Sequence, residues 1–340
     1  MVDWTVARRI AASVAGDPAM PDLPSNLVEM CADAERRVVA YTELTPLQPL
    51  PAPEAVDRAA WADANLAGMR GVLDPIAGKI GTGTGPLQPA LRAAGGLLLG
   101  AEIGGLVGLL SQRVMGQYEV PPTDPHRAAR LLFVTPNLAE AARQMEVDKG
   151  QMLRWVALHE ITHGVQFSAV PWLRAYVAGL VAELADALDV KIDAKAALRL
   201  AERGQLRGAI GRLRSDGIVG AALGPERRAL LDRIQATMAM IEGHAEHVMD
   251  AAGADVLEDL AELRSALQRR RSDRSPVMRV LEKLLGLQMK MRQYETGKAF
   301  CDAVVAKAGV AGLNHAWLAP ESMPTWAELE DPASWLARAA

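Results

Sequence analysis

From Asp148 onward the chain reads almost entirely as amphipathic or buried helix. Apolar residues recurring at a 3.6-residue period predict helices over 151–167, 173–188, 193–213, 225–251, 255–271 and 276–306. Residues 1–43 show the same helical spacing. They run into TPLQPLPAPEAVDRAAWADANLAG, whose prolines predict a loop between helical segments. The best strand candidate is LLFV at 131–134, followed by a proline-containing turn, and few other strands are visible. These elements predict a mainly α fold of α+β class, with a small β element before the helix at 151–167. An N-terminal helical region, 1–114, is expected to pack on a body spanning 115–340. The last thirty residues, rich in Trp and Pro, read as an ordered tail.

Three stretches invite a functional reading and are better explained by structure. GGLLLGAEIGGLVGLLSQRVMG at 95–116 is the most membrane-like segment, but Glu102 interrupts it before it reaches the ~18–20 apolar residues of a span. Gly100, Gly104 and Gly108 fall at four-residue spacing, which predicts a buried helix that another backbone approaches closely. GTGTGP at 81–86 lacks the lysine of a phosphate-binding loop and reads as a flexible joint. QRRRSDR at 268–274 has no aromatic residues interleaved to stack on bases and reads as a solvated helix end.

Composition narrows the classes further. Half of the 340 residues are hydrophobic and the net charge is -4, as in ordinary globular chains and without the excess that suggests a nucleic-acid partner. Cys31 and Cys301 form no CxxC pair, so any metal is expected on nitrogen and oxygen ligands. The N-terminal apolar run is broken by Arg8 and Arg9 and does not read as a secretory signal. The expectation is a cytoplasmic protein with no membrane and no nucleic-acid partner, of open oligomeric state.

The chemistry concentrates in DKGQMLRWVALHEITHGVQF. His159 and His163 stand four residues apart, about one helical turn, so both imidazoles leave one face and can reach one tetrahedral zinc ion. Glu160 lies about 100° around the helix from His159, beside the metal without being obliged to bind it. A carboxylate there can take a proton from an activated water.

Catalytic zinc usually has three protein ligands. The three-histidine arrangement HExxHxxGxxH is absent, because Ala169 stands six residues after His163. The next candidates lie in MAMIEGHAEHVMD, where Glu242, Glu246 and Asp250 recur every four residues as one acidic stripe. Glu242 is the choice for third ligand, with Glu246 or Asp250 positioned to hold a ligand imidazole by its second nitrogen. His244 and His247 lie about 200° and 140° from Glu242 around the helix. A rival arrangement makes His247 the ligand. Tyr294 and His315 are candidate donors to the oxyanion of a hydrolysis, with Arg292 and Lys298 behind them. LLFV could align an extended peptide or serve as buried pairing. Met238, Met240 and Met249 read as core filling.

HEITHGVQF followed by VPWL, the EGHAEHVMD cluster and the C-terminal MKMRQYETGKAF together resemble the zincin-like metallopeptidase type 2 family, across roughly 115–320. Members occur mainly in actinobacteria and are described as metalloproteases or hydrolases; some carry a label linking them to biosynthesis of the deazaflavin coenzyme. The resemblance implies a mostly helical zincin-like metalloprotease fold and a glutamate third ligand, and leaves the substrate open. The expected function is zinc-dependent hydrolysis of an amide or peptide bond with Glu160 as general base. The alternative is a zincin-fold binding or scaffold protein whose zinc site is structural or vestigial.

Overall fold

The computed structural model describes residues 2–16, 25–80, 88–120, 127–187, 225–257, 265 and 288–339; within its helices, the side chains of 76–80, 88–92, 225–227 and 288–294 lie outside that description. The helices expected at 193–213 and 255–271, the first part of the one at 276–306, the GTGTGP joint and the QRRRSDR cluster also fall largely or wholly outside the described residues.

The elements in chain order are α1 (Trp4–Ala15), α2 (Leu27–Thr42), β1 (Pro53–Val56), α3 (Arg58–Ile80), α4 (Gln88–Ser111), β2 (Gly116–Glu119), β3 (Arg130–Val134), α5 (Thr135–Met145), α6 (Lys149–Ala169), α7 (Leu173–Ala187), α8 (Pro225–Gly253) and α9 (Gln288–Asn314). Two short 3-10 turns then lead to α10 (Trp326–Glu330) and α11 (Pro332–Ala339). The described residues are therefore mostly helical with one small sheet, as the apolar periodicity predicts.

LLFV forms the centre of that sheet. β3 pairs with β1 in parallel and with β2 antiparallel, giving the order β1-β3-β2. Side chains alternate across a strand, and here both faces are covered. Leu131 and Phe133 enter a core with α2, α5, α6 and α8, while Leu132 and Val134 enter a second core with α1, α3 and α4. A strand hydrogen-bonded on both sides has no free edge for a peptide, so LLFV is buried pairing. The two flanking strands escape the sequence pattern because each is only four residues long, and β1 also partners a strand distant in the chain. β1 lies within the proline-rich stretch read as a loop, where parallel pairing to β3 supplies what local propensity does not.

α6 is buried nearly all round, from Met152 to Gln166. Its start is set by Asp148, whose side chain accepts from the Gly150 and Gln151 amides and so satisfies two of the first-turn donors that a helix leaves open. Pro171 follows the last turn, where the chain becomes extended at Val170. α8 lies against α6, serving the first core through Val248 and Met249 and a third core through Ala236–Ile241. That third core contains α7, α9 and the C-terminal tail, with Trp335 fully buried. Met240 and Met249 are fully buried in these two cores.

Two helix crossings depend on glycine. α4 lays Gly100, Gly104 and Gly108 against α1, where a side chain at Gly108 would come within 2.9 Å of the Ala11 carbonyl oxygen. The close approach is as expected, but burial is one-sided: Leu97, Leu98 and Leu99 are exposed, and the Ala93–Ser111 window, long and apolar enough to cross a membrane by length and composition, is 28% buried. The second crossing brings α8 against α9. A Cβ at Gly243 would stand 2.5 Å from Gly297 Cα, and one at Gly297 would overlap the Ala239 carbonyl oxygen. Backbone cannot yield as a side chain does, so Gly297→Ala is expected to force the helices apart and cost about 1–3 kcal/mol. A chemical denaturation midpoint equal to the parent's would show that the crossing tolerates a methyl group.

Candidate metal centre

α6 delivers His159 and His163 to one face, and α8 brings Glu242 to meet them. The two imidazole Nε2 atoms are 3.3 Å apart, and Glu242 Oε2 lies 3.8 Å from that of His159 and 3.5 Å from that of His163. Among the described residues these three form a group whose candidate ligand atoms all lie within 4.8 Å of one another. Atoms held about 2.0–2.2 Å from a tetrahedral zinc ion are separated by roughly 3.3–3.6 Å, so the 3.3 and 3.5 Å spacings and the nitrogen and oxygen donors fit that metal, with the 3.8 Å spacing slightly long.

Electrostatics agree. Burial disfavours a charged His163, yet Glu242, Glu160 and Gln166 outweigh it and raise its imidazole to about 9. The cluster therefore favours positive charge, which a divalent cation would supply. The Trp155 indole lies nearly parallel to the His159 ring, at 7° with centroids 6.1 Å apart.

Glu160 is buried, and its Oε2 accepts a 2.8 Å hydrogen bond from the Tyr118 backbone N–H. β2 thus presents a peptide donor to the side chain beside the cluster. The contact requires a glycine in the strand, since a Cβ at Gly116 would come within 2.6 Å of Val156 Cγ1 and 2.8 Å of Glu160 Cγ. Tyr118 stacks on Phe167, one turn after His163 on α6, with ring centroids 6.4 Å apart.

The partner of the second His163 nitrogen is Gln166, not Glu246 or Asp250. His163 Nδ1 meets Gln166 Oε1 at 2.9 Å, while Gln166 Nε2 donates to the Ile241 carbonyl at 3.0 Å and meets His244 Nδ1 at 2.8 Å. Asp250 instead forms an ion pair with Lys298 at 3.2 Å, and Glu246 is buried further along α8. Gln166 had a sequence signal: a polar residue in an otherwise apolar run, three positions after a candidate ligand and so on its face.

Neither remaining histidine of α8 is available to the cluster. Burial above all, with His247 and His163 nearby, depresses His244 to about 3; its neutral ring lies edge-on to Trp317 at 5.1 Å. His247 donates from Nδ1 to Asp302 Oδ1 at 2.6 Å and pairs through Nε2 with the Tyr41 hydroxyl at 2.7 Å. Both its nitrogens are spent on joining α2, α8 and α9. Lys298 Nζ bonds Asp302 Oδ2 at 2.6 Å, so that lysine belongs to the same polar chain.

His315 is exposed, with Nδ1 bonded to the Ala339 carbonyl at 2.9 Å, which turns its ring toward the C-terminal helix. Its expected oxyanion role is not supported by that placement. Tyr294 and Arg292 lie on α9 with side chains outside the described residues.

A mostly helical frame that joins two imidazoles from one helix to a carboxylate from another is the arrangement expected of a zincin-type protein. The chain belongs to the zincin-like metallopeptidase family, whose sequence profile matches residues 2–336. It is also similar to a candidate hydrolase with a novel fold from Chloroflexus aurantiacus, known from a crystal structure, with a TM-score of 0.72 and 28% identity over 99% of this chain and 98% of that one. No curated protein matches the chain. Family membership implies a metal, usually zinc, and supports assignment to the zinc hydrolases.

Proposed function

We propose that the chain is a zinc-dependent metallopeptidase or amidohydrolase that cleaves an amide bond, with His159, His163 and Glu242 holding the metal. The observation that carries this reading is the 3.3 Å approach of the two Nε2 atoms with Glu242 Oε2 beside both. Zinc held there supplies Lewis acidity to a scissile carbonyl and makes a water easier to deprotonate. Glu160 takes that proton and returns it to the leaving nitrogen. The Tyr118 N–H holds one carboxylate oxygen of Glu160, leaving the other to accept the proton.

Purified protein is expected to bind one zinc per chain and to hydrolyse members of a diverse peptide library, with both properties removed by a chelator and restored by zinc. Metal analysis and mass-spectrometric detection of cleavage products measure the two separately. A chain that takes up no zinc contradicts the whole reading. Stoichiometric zinc without turnover leaves the binding or scaffold role.

A further inference from the structure

We propose that Gln166 is a positioning residue with two separable roles: its amide oxygen orients His163 for the metal, and its amide nitrogen clamps α6 to α8. The inference rests on the zinc reading of His159, His163 and Glu242. It concerns a side chain outside the proposed ligand set.

A carboxamide has one acceptor oxygen and two N–H donors, and its two ends are ordinarily hard to distinguish. The surroundings distinguish them here. A backbone carbonyl can only accept, so the end of Gln166 that lies 3.0 Å from the Ile241 oxygen is the –NH2. Its second N–H points to His244 Nδ1 at 2.8 Å, which makes that nitrogen the lone-pair one. The oxygen then necessarily faces His163 Nδ1 at 2.9 Å, and because an amide oxygen only accepts, this nitrogen carries the proton. His163 Nε2, 3.5 Å from Glu242 Oε2, is then the nitrogen that would give up its proton and offer a lone pair to a metal.

The clamp brackets a ligand. Ile241 and His244 lie on either side of Glu242, so the side chain that orients a ligand on α6 also holds the segment of α8 carrying the third ligand. Gln166 is fully buried, with no solvent to replace any of the three bonds. Partners outside the ligand shell that orient a metal-bound imidazole typically contribute about 10–100-fold to metal affinity.

Two substitutions separate the roles. Gln166→Met keeps much of the volume and removes both ends of the amide. Gln166→Glu keeps an oxygen for His163 and puts a second oxygen where the Ile241 carbonyl needs a donor. Zinc affinity, by competition with a chromophoric chelator, and thermal unfolding of the metal-free protein are measured for the full chain and both variants. Gln166→Met is expected to weaken zinc binding by about 10–100-fold. Gln166→Glu is expected to hold zinc within about tenfold of the parent, and to unfold at a lower temperature, since the loss falls on the clamp.

A folded Met variant that binds zinc as tightly as the parent overturns the orienting role. So does a Glu variant weakened by more than about 100-fold, a result that remains decisive if the Met variant fails to fold. A Glu variant as thermally stable as the parent overturns the clamp. A parent chain that takes no zinc defeats the zinc reading itself, whereas a zinc-binding parent matched by both variants defeats only the assignment of Gln166.

Discussion

Glu160→Gln is expected to retain the fold and bound zinc while lowering peptide hydrolysis by about 10²–10⁴-fold, the usual contribution of a positioned general base. The substitution changes little besides the proton chemistry. Gln has nearly the same volume, so its packing against Gly116 is kept, and its amide oxygen can still accept from the Tyr118 N–H. The other end of the side chain then carries N–H groups where the parent carries an oxygen that can accept a proton. Zinc content and turnover measured on one preparation separate loss of the base from loss of the metal. A Gln variant with parental turnover would sink the role of Glu160, and one without zinc would show that Glu160 helps to hold the metal.

Glu242→Ala is expected to produce the largest change in metal binding. His159 and His163 would remain together on α6, but two imidazoles alone lack the carboxylate that completes the donor set. A direct ligand should cost more than the ~10–100-fold typical of outer partners, so zinc affinity is expected to fall by well over about 100-fold. His247→Leu provides the contrast. That imidazole is spent on Tyr41 and Asp302, so its removal is expected to lower stability while leaving stoichiometric zinc. Competition with a graded series of chelators distinguishes the two. Zinc lost from the His247 variant and kept in the Glu242 variant would reverse the assignment of the third ligand.

Much of α6 was legible because its information is local. Apolar residues around the helix and two histidines one turn apart predict a buried helix with a two-imidazole face. LLFV was legible as a strand for a similar reason: a short apolar run suits a strand covered on both faces. Helical angles also separated His244 and His247 from the face of Glu242.

Other features depended on what lay across the interior. Helical periodicity places Glu242, Glu246 and Asp250 on one stripe but does not say which neighbour each meets. The Gly243–Gly297 crossing brings α9 against α8, and Lys298 takes Asp250 into a chain with Asp302. The polar side chain against His163 comes instead from its own helix, through Gln166. β1 and β2 were hidden because four-residue strands have little local signature and gain their stability from pairing with β3.

By itself, then, the sequence determined a mostly helical chain, a buried HEITH helix, a strand before it and an acidic stripe some eighty residues later, because each is written in the spacing of neighbouring residues. Only the tertiary structure decided that Glu242 meets both imidazoles, that Tyr118 holds Glu160, that Gln166 links α6 to α8, and that His247 turns to Tyr41 and Asp302. Those outcomes depend on distances of a few ångströms between segments far apart in the chain, which are set by helix crossing and sheet pairing.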